Sequence, residues 1–400
     1  MIQVVDDVLE SAAALLENLC AISTATGDVD GLRRCARLLG RELVDLGFHV
    51  EIENRPNVDD VLQPVLIATS RPSSERNVLL IGHLDTVLPA TAARRTDDRL
   101  EGTGALDMKG GFAALVGALR LRWSQGLETP AGLNLVAVPD EEIGGPISEA
   151  VVRQLGRDAS AVLVLEPGRR CESGETIVTG RRGLSVWRLD ARGRAAHSGL
   201  AFAEGRSALA AAAEWSAGAQ GLSEDNGGPI VNVGRIIGGD SEFVQDLGEE
   251  HRFVGTSQRL NVVADRCLVE GEARYLTTAD RDRVLERMRR RAHEAAESWG
   301  VDIQFEVVEE IRPVPPSDSS AELARLLVEA ASADGWTLEV ETDRGGVSFP
   351  NFLPDPSAVP VIDGLGPVGD GMHTREEYVS LASLDRRIHL IAHLLDALSE

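Results

Sequence analysis

The chain is poor in basic charge and nearly devoid of lysine. Lys109 is its only lysine, and the other 39 bases are arginine. Against 64 acids, these 40 bases leave a net charge of −24. So acidic a surface repels phosphate backbones, which excludes nucleic acid as an expected partner. Cysteine is also scarce. Cys20, Cys35, Cys171 and Cys267 lie far apart with no paired spacing, which excludes a disulfide framework and a cysteine-rich zinc site and fits a reducing compartment. The opening residues, Met1 to Asp7, lack the basic stretch that begins a secretory signal. No apolar run approaches the roughly 20 residues that a membrane span needs. The expectation is a cytoplasmic protein with no membrane partner. No internal repeat or low-complexity tract is visible.

What is present is an ordinary globular composition, 43% apolar and 26% charged. Four hundred residues are too many for one hydrophobic core, so two domains are expected. Helical apolar spacing covers 6–22 and 30–46, and strand-like runs cover 49–53, 64–69 and 77–83. Three runs, Asn77–Gly82, Leu133–Val138 and Ala161–Leu165, are almost continuously apolar, as strands buried on both faces of a parallel sheet are. Helical stretches at 110–122 and 147–155 alternate with them. From about 183 the pattern changes to strand 184–191, helix 206–219, strands 230–237 and 266–276, helix 279–298 and strand 301–309. That order is β-α-β-β-α-β, the ferredoxin-like arrangement. Arg312-Pro313-Val314-Pro315-Pro316 reads as a linker, and helices 319–333 and 383–398 return to the first style. The expected fold is α/β. A discontinuous domain, 1–180 with 311–400, holds a mainly parallel sheet between helices, and a ferredoxin-like domain, 181–310, is inserted into it.

The buried runs end in histidine or acid. The first ends in Gly82-His83-Leu84-Asp85-Thr86, where His83 and Asp85 point the same way in an extended chain. Glycine-rich Gly102–Gly111 carries Asp107 just before a helix. The second run ends in Asp140-Glu141-Glu142-Ile143-Gly144 and the third in Leu165-Glu166-Pro167. Ligand sites of open α/β sheets form at the C-terminal ends of strands, so these groups are candidates to converge, with Asp140 bordering them. Converging carboxylates need an offsetting charge. Histidine with carboxylate suits zinc, with cobalt or manganese as substitutes. One aspartate can bridge two ions through its two oxygens. Glu141 and Glu142 are adjacent and cannot easily face one ion together, so one can ligate while its neighbour holds the attacking water. Met108 reads as local packing and Lys109 as surface, with a nearby acid as its alternative partner. His49, His251, His293, His389 and His393 match no motif and read as structural, and the cysteines as small core residues.

In order and approximate spacing, Gly82–Val87, Gly104–Gly111, Asp140–Gly144 and Leu165–Pro167 resemble the metal motifs of a known metallohydrolase family. Its members include carboxypeptidase G, acetylornithine deacetylase and succinyl-diaminopimelate desuccinylase. Gly371-Met372-His373-Thr374 with Glu377-Tyr378-Val379 is similar to the family's last histidine motif. The carboxypeptidase G branch is the nearest in appearance. The resemblance implies a dinuclear zinc hydrolase that cleaves the amide bond of a small peptide or N-acyl amino acid with a free carboxylate. His83, Asp107 and Glu166 would hold one Zn2+, and Asp107, Glu142 and His373 the second. Asp85 would orient His83, and Glu141 would be the general base for a water bridging the metals.

The inserted domain resembles the family's lid and dimerisation domain, which implies a homodimer. His197, in Ala195–Gly199, would reach the partner's active site and stabilise the oxyanion. Asn261, in Asn261-Val262-Val263, and Arg274 would bind substrate, Arg274 through the carboxylate. Arg312 is a second candidate for that carboxylate. After Arg344-Gly345-Gly346 the family usually has Thr or Ser and then Asp, whereas this chain has Val347-Ser348-Phe349. Ala264 stands where proline usually follows the asparagine motif. The loop departure leaves an N-acyl amino acid deacylase or a dipeptidase of the same family as the alternative. A non-catalytic ligand-binding homologue is the remote one.

Overall fold

A computed structural model describes residues 2–224, 227–250 and 261–399. His251, read above as structural, lies outside the described residues. The chain forms two compact units. The larger is Met1–Gly180 with Pro315–Arg344 and Ser348–Glu400, and the smaller is Arg181–Val314 with Gly345–Val347.

The larger unit begins with α1 (Ile2–Cys20), α2 (Val29–Asp45), β1 (His49–Pro56), β2 (Leu62–Thr69) and β3 (Val78–His83). Then come β4 (Arg94–Arg95), β5 (Arg99–Glu101), α3 (Gly110–Ser124), β6 (Leu133–Val138), α4 (Pro146–Leu155), β7 (Ala161–Val164) and β8 (Glu175–Val178). The smaller unit holds β9 (Gly183–Arg192), α5 (Ala208–Gln220), β10 (Ile230–Gly239), α6 (Ser241–Glu250), β11 (Arg266–Tyr275), α7 (Thr278–Trp299) and β12 (Asp302–Ile311). The chain re-enters the larger unit with α8 (Asp318–Ala333), β13 (Leu338–Glu341), β14 (Val361–Ile362), β15 (Gly369–Asp370), β16 (Tyr378–Ser380) and α9 (Leu381–Ala397).

The central sheet runs β1-β2-β6-β3-β7-β14. Strands β6, β3, β7 and β14 are parallel, and β1 and β2 add antiparallel at one edge. The expected α/β class with a mainly parallel sheet is borne out. Every residue of β3 is buried, as its unbroken apolar run requires when both faces are covered. Helix α3 is buried from Gly110 to Leu119 and packs against α1 and α9, which an amphipathic helix could not do on all sides.

Register then brings the strand ends level. His83 pairs with Val138, and Ile81 pairs with Val164. Glu166 therefore leaves β7 level with His83, and Asp140-Glu141-Glu142 leaves β6 beside them. Helix α3 begins against the same edge. A Cβ on Gly111 would lie 2.0 Å from the Leu165 carbonyl oxygen, so glycine permits the approach.

In the smaller unit the sheet runs β10-β11-β9-β12, every neighbour antiparallel. Trp187, Leu189 and Ala191 of β9 and Val269 and Ala273 of β11 share a core with Trp215 of α5 and Met288 of α7. The rings of Trp187 and Trp215 meet edge-on at 5.3 Å. Helix α6 has no counterpart in the pattern reading, because ten residues with three apolar side chains give too short a period to distinguish from a loop. Among the described residues, no helix is long and apolar enough to cross a membrane.

Candidate metal centre

All seven candidate metal-centre residues belong to the larger unit. His83 is fully buried. Its Nδ1 lies 2.9 Å from the Asp85 carbonyl oxygen and 3.4 Å from Asp85 Oδ1. With Nδ1–H donated there, Nε2 faces Asp107 Oδ1 at 3.0 Å and Glu166 Oε1 at 3.5 Å. Asp107 sits in the turn Ala105–Lys109, where Asp107 and Met108 leave helical backbone, and the peptide bond between them is cis. Its other oxygen, Oδ2, lies 3.3 Å from His373 Nε2, which is also 3.2 Å from Glu142 Oε2. His373 has φ +63°, a left-handed backbone that a side chain rarely adopts without local support. Ligand-type atoms of His83, Glu141 and Glu166 lie within 4.8 Å of one another, as do those of His83, Asp107 and Glu142.

Asp85 does more than face the histidine ring. Its carboxylate also accepts Thr26 Oγ1–H at 2.9 Å and the backbone N–H groups of Glu141 and Glu142 at 3.1 and 3.2 Å. One carboxylate thus joins the end of β3 to the turn after β6. Asp140, beside these residues, has a structural task. Its carboxylate accepts Ile147 N–H at 2.7 Å, Ser148 N–H at 3.1 Å and Ser148 Oγ–H at 2.6 Å, capping the first turn of α4. Lys109 is corrected. It is buried, and Nζ donates to the carbonyl oxygens of Leu19 and Ile22 at the end of α1, where a cation suits the helix dipole.

The cluster has too little positive charge of its own. Burial raises the Glu142 carboxyl to about 7, with help from the charges of Asp107 and Glu141 and against the two histidines. Burial also pushes Glu166 well above the usual carboxylate range, again aided by Asp107. For His83, burial opposes protonation, but Asp107, Asp85 and Glu166 outweigh it and raise its pKa. Its hydrogen bond to Asp107 raises His373 to about 9. Bound protons thus offset the negative charge that cations could offset instead. Glu166 Oε1 is buried with no hydrogen-bond partner. A carboxylate oxygen left unpaired beside imidazole and further carboxylates is a donor set that fits a divalent cation.

The substrate-side candidates belong to the smaller unit. His197 is exposed, and its Nδ1 accepts the N–H groups of Gly199 and Leu200 at 3.1 and 3.3 Å. The proton of the neutral ring is therefore on Nε2, which becomes a donor. Asn261 is exposed, and its carbonyl oxygen accepts Ser198 N–H at 2.8 Å, so the asparagine and histidine motifs are laced together. Arg274 Nε and Nη2 donate to Glu272 at 2.9 and 3.1 Å, and Nη1 donates to the Gly345 carbonyl at 2.9 Å. Arg312 is exposed just past β12.

The sequence pattern of Peptidase family M20/M25/M40 matches residues 79–397. The chain belongs to this family. It is 26% identical over 409 residues to carboxypeptidase G2 of a Pseudomonas species, covering 99% of this chain and 91% of that one. It is also 26% identical to succinyl-diaminopimelate desuccinylase of Methylorubrum populi, covering 97% and 98% of the two chains. Among solved structures, aminopeptidase PepT from Bacillus cereus has a similar fold, with TM-score 0.78 at 21% identity and 98% and 99% coverage. The M20/M25/M40 chain is accordingly a hydrolase of a metallopeptidase and amidohydrolase family.

Two features of this M20/M25/M40 member escape pattern reading. In the departure Val347-Ser348-Phe349, Phe349 is fully buried, and its ring centroid lies 6.3 Å from that of His83. Behind Glu166, buried Arg387 donates to Glu175, to the Gly364 carbonyl and to the Thr176 carbonyl, while Arg344 donates to the Pro167 carbonyl at 3.3 Å. These arginines steady the loop after β7. The partners of Arg387 are distant in sequence and leave no spacing signal, whereas Arg344 also pairs with Glu341, three residues before it.

Proposed function

We propose that the chain is a dinuclear zinc hydrolase of small peptides or N-acyl amino acids that carry a free carboxylate, similar to a glutamate carboxypeptidase. The observation that carries this reading is Asp107. It turns one oxygen to His83 and the other to His373, with Glu166 and Glu142 beside the respective histidines. His83, Asp107 and Glu166 would hold one ion, and Asp107, Glu142 and His373 the other. Bound zinc supplies Lewis acidity, polarising the scissile carbonyl and acidifying water. Glu141 takes the proton of the attacking water and delivers it to the departing amine nitrogen. Asp85 holds the Nδ1–H of His83, keeping Nε2 directed at the ion site. Arg274 pairs with the substrate carboxylate, with Asn261 and Arg312 nearby in role. His197 of the partner subunit donates its Nε2–H to the oxygen that gains charge in the tetrahedral state.

The test is amine release from a panel of carboxylate-bearing peptides and N-acyl amino acids, before and after chelation. Turnover should vanish on chelation and return with zinc or cobalt. Turnover that survives exhaustive chelation removes the metal reading. The desuccinylase relative, at the same 26% identity, favours a second reading as a deacylase. Relative kcat/KM across the panel separates the two.

The dimer has its own test. Glu141→Ala and His197→Ala chains, each inactive alone, are mixed one to one. If His197 acts in trans, heterodimers keep one intact site and restore about a quarter of wild-type activity. Heterodimers that form without activity reject the trans role. A reducing compartment, the cytoplasm, is part of the same proposal.

A further inference from the structure

Glu377 lies four residues after His373 and is 3% exposed. Its Oε2 accepts Gly104 N–H at 2.8 Å, and its Oε1 accepts Leu106 N–H at 2.8 Å and Asp107 N–H at 2.9 Å. Its carbonyl oxygen accepts Gly102 N–H at 3.0 Å. One residue therefore holds the loop of Asp107 by four backbone groups. The same residue ends the turn that carries His373 and leads into β16, which pairs with β5. It ties together two loops where their side chains meet, His373 Nε2 to Asp107 Oδ2 at 3.3 Å.

We propose that Glu377 is a positioning residue. It sets the spacing between Asp107 and His373, and so the affinity of the ion that these two share with Glu142, without touching that ion. The inference rests on the metal reading above and adds a residue to which that reading gives no role. A carboxylate is required chemically. Three N–H donors converge on two oxygens, so both atoms must accept. Glutamine would turn an NH2 group toward at least one donor, leaving a buried N–H unpaired. Aspartate keeps the charge but is one methylene too short to hold Gly104 and Asp107 while its backbone stays at the entry to β16.

The test compares wild type, Glu377→Gln, Glu377→Asp and the exposed neighbour Glu376→Gln. Zinc is counted by equilibrium dialysis over a range of free metal, the cobalt absorption spectrum is recorded, and circular dichroism checks the fold. Glu377→Gln is expected to weaken one of two ions roughly 10- to 100-fold, to change the cobalt spectrum of that ion and to keep the other. Glu377→Asp should fall between Glu377→Gln and wild type, and Glu376→Gln should match wild type. A folded Glu377→Gln with two ions at wild-type affinity and an unchanged cobalt spectrum overturns the proposal. So does equal loss of both ions, or collapse of both Glu377 variants, since Glu377 would then serve the fold as a whole. If Glu377→Gln alone collapses, a Glu377→Asp with wild-type affinity at both ions also overturns it. A wild type that binds no divalent ion overturns the metal reading as well, and that measurement distinguishes the two failures.

Discussion

Asparagine in place of Asp107 is expected to abolish turnover and remove most of the bound metal. The replacement is isosteric, yet it exchanges one oxygen for an NH2 that cannot ligate. Among the described residues, Asp107 alone reaches both histidines, His83 at 3.0 Å and His373 at 3.3 Å. Loss of either oxygen therefore damages one of the two donor sets, and loss of the negative charge weakens both. Its carboxyl lies well below the usual range despite burial, because both histidines hydrogen-bond to it, so it is ionised and available to a cation at neutral pH. The readout is thermal stability with and without zinc. Ligand at 100 times its Kd stabilises a folded protein by about 2.7 kcal/mol. Wild type should show such a rise, and Asp107→Asn little or none at the same zinc concentration. An Asp107→Asn protein that binds two zinc ions as tightly as wild type rejects the bridging role.

The same geometry explains which features the amino-acid pattern reveals. His83 ends, and Glu166 and the Glu141-Glu142 pair follow, strands whose unbroken apolar runs mark them as buried, and the parallel register brings those strand ends level. Strand identity alone therefore locates them. The capping role of Asp140 is not legible because three consecutive acids look alike in sequence, and only the hydrogen bonds from Ile147 and Ser148 tell the helix cap from its neighbours. Lys109 reads as surface because lysine usually is. Its burial depends on carbonyl oxygens at the end of α1, nearly ninety positions away. Glu272 is invisible for the opposite reason. It is close to Arg274 in sequence, but nothing in a strand pattern says that the two will pair rather than point to solvent. Glu377 acts on backbone groups, which carry no residue signature, and Arg387 on Glu175, Thr176 and Gly364, all distant in sequence.

Alanine in place of Glu141 is expected to leave the metal bound and lower kcat by roughly 1,000-fold, about 4 kcal/mol of transition-state stabilisation. KM should change little, since proton transfer belongs to the transition state and not to substrate binding. The geometry makes this a sharp test, because Glu141 is itself close enough to be a ligand. Its carboxylate falls within 4.8 Å of ligand atoms of His83 and Glu166. Glu142 instead meets His373 at 3.2 Å. Asp85 holds the backbone N–H of both residues, so the turn is fixed while the two side chains diverge. That divergence suits one ligand and one base. Zinc content separates the roles. A base can be deleted with both ions retained, whereas deletion of a ligand weakens an ion before it slows the reaction. Full zinc content with depressed kcat supports Glu141 as the base. Loss of one ion from Glu141→Ala, with both retained in Glu142→Ala, would exchange the two assignments, and unchanged turnover would remove Glu141 from the chemistry.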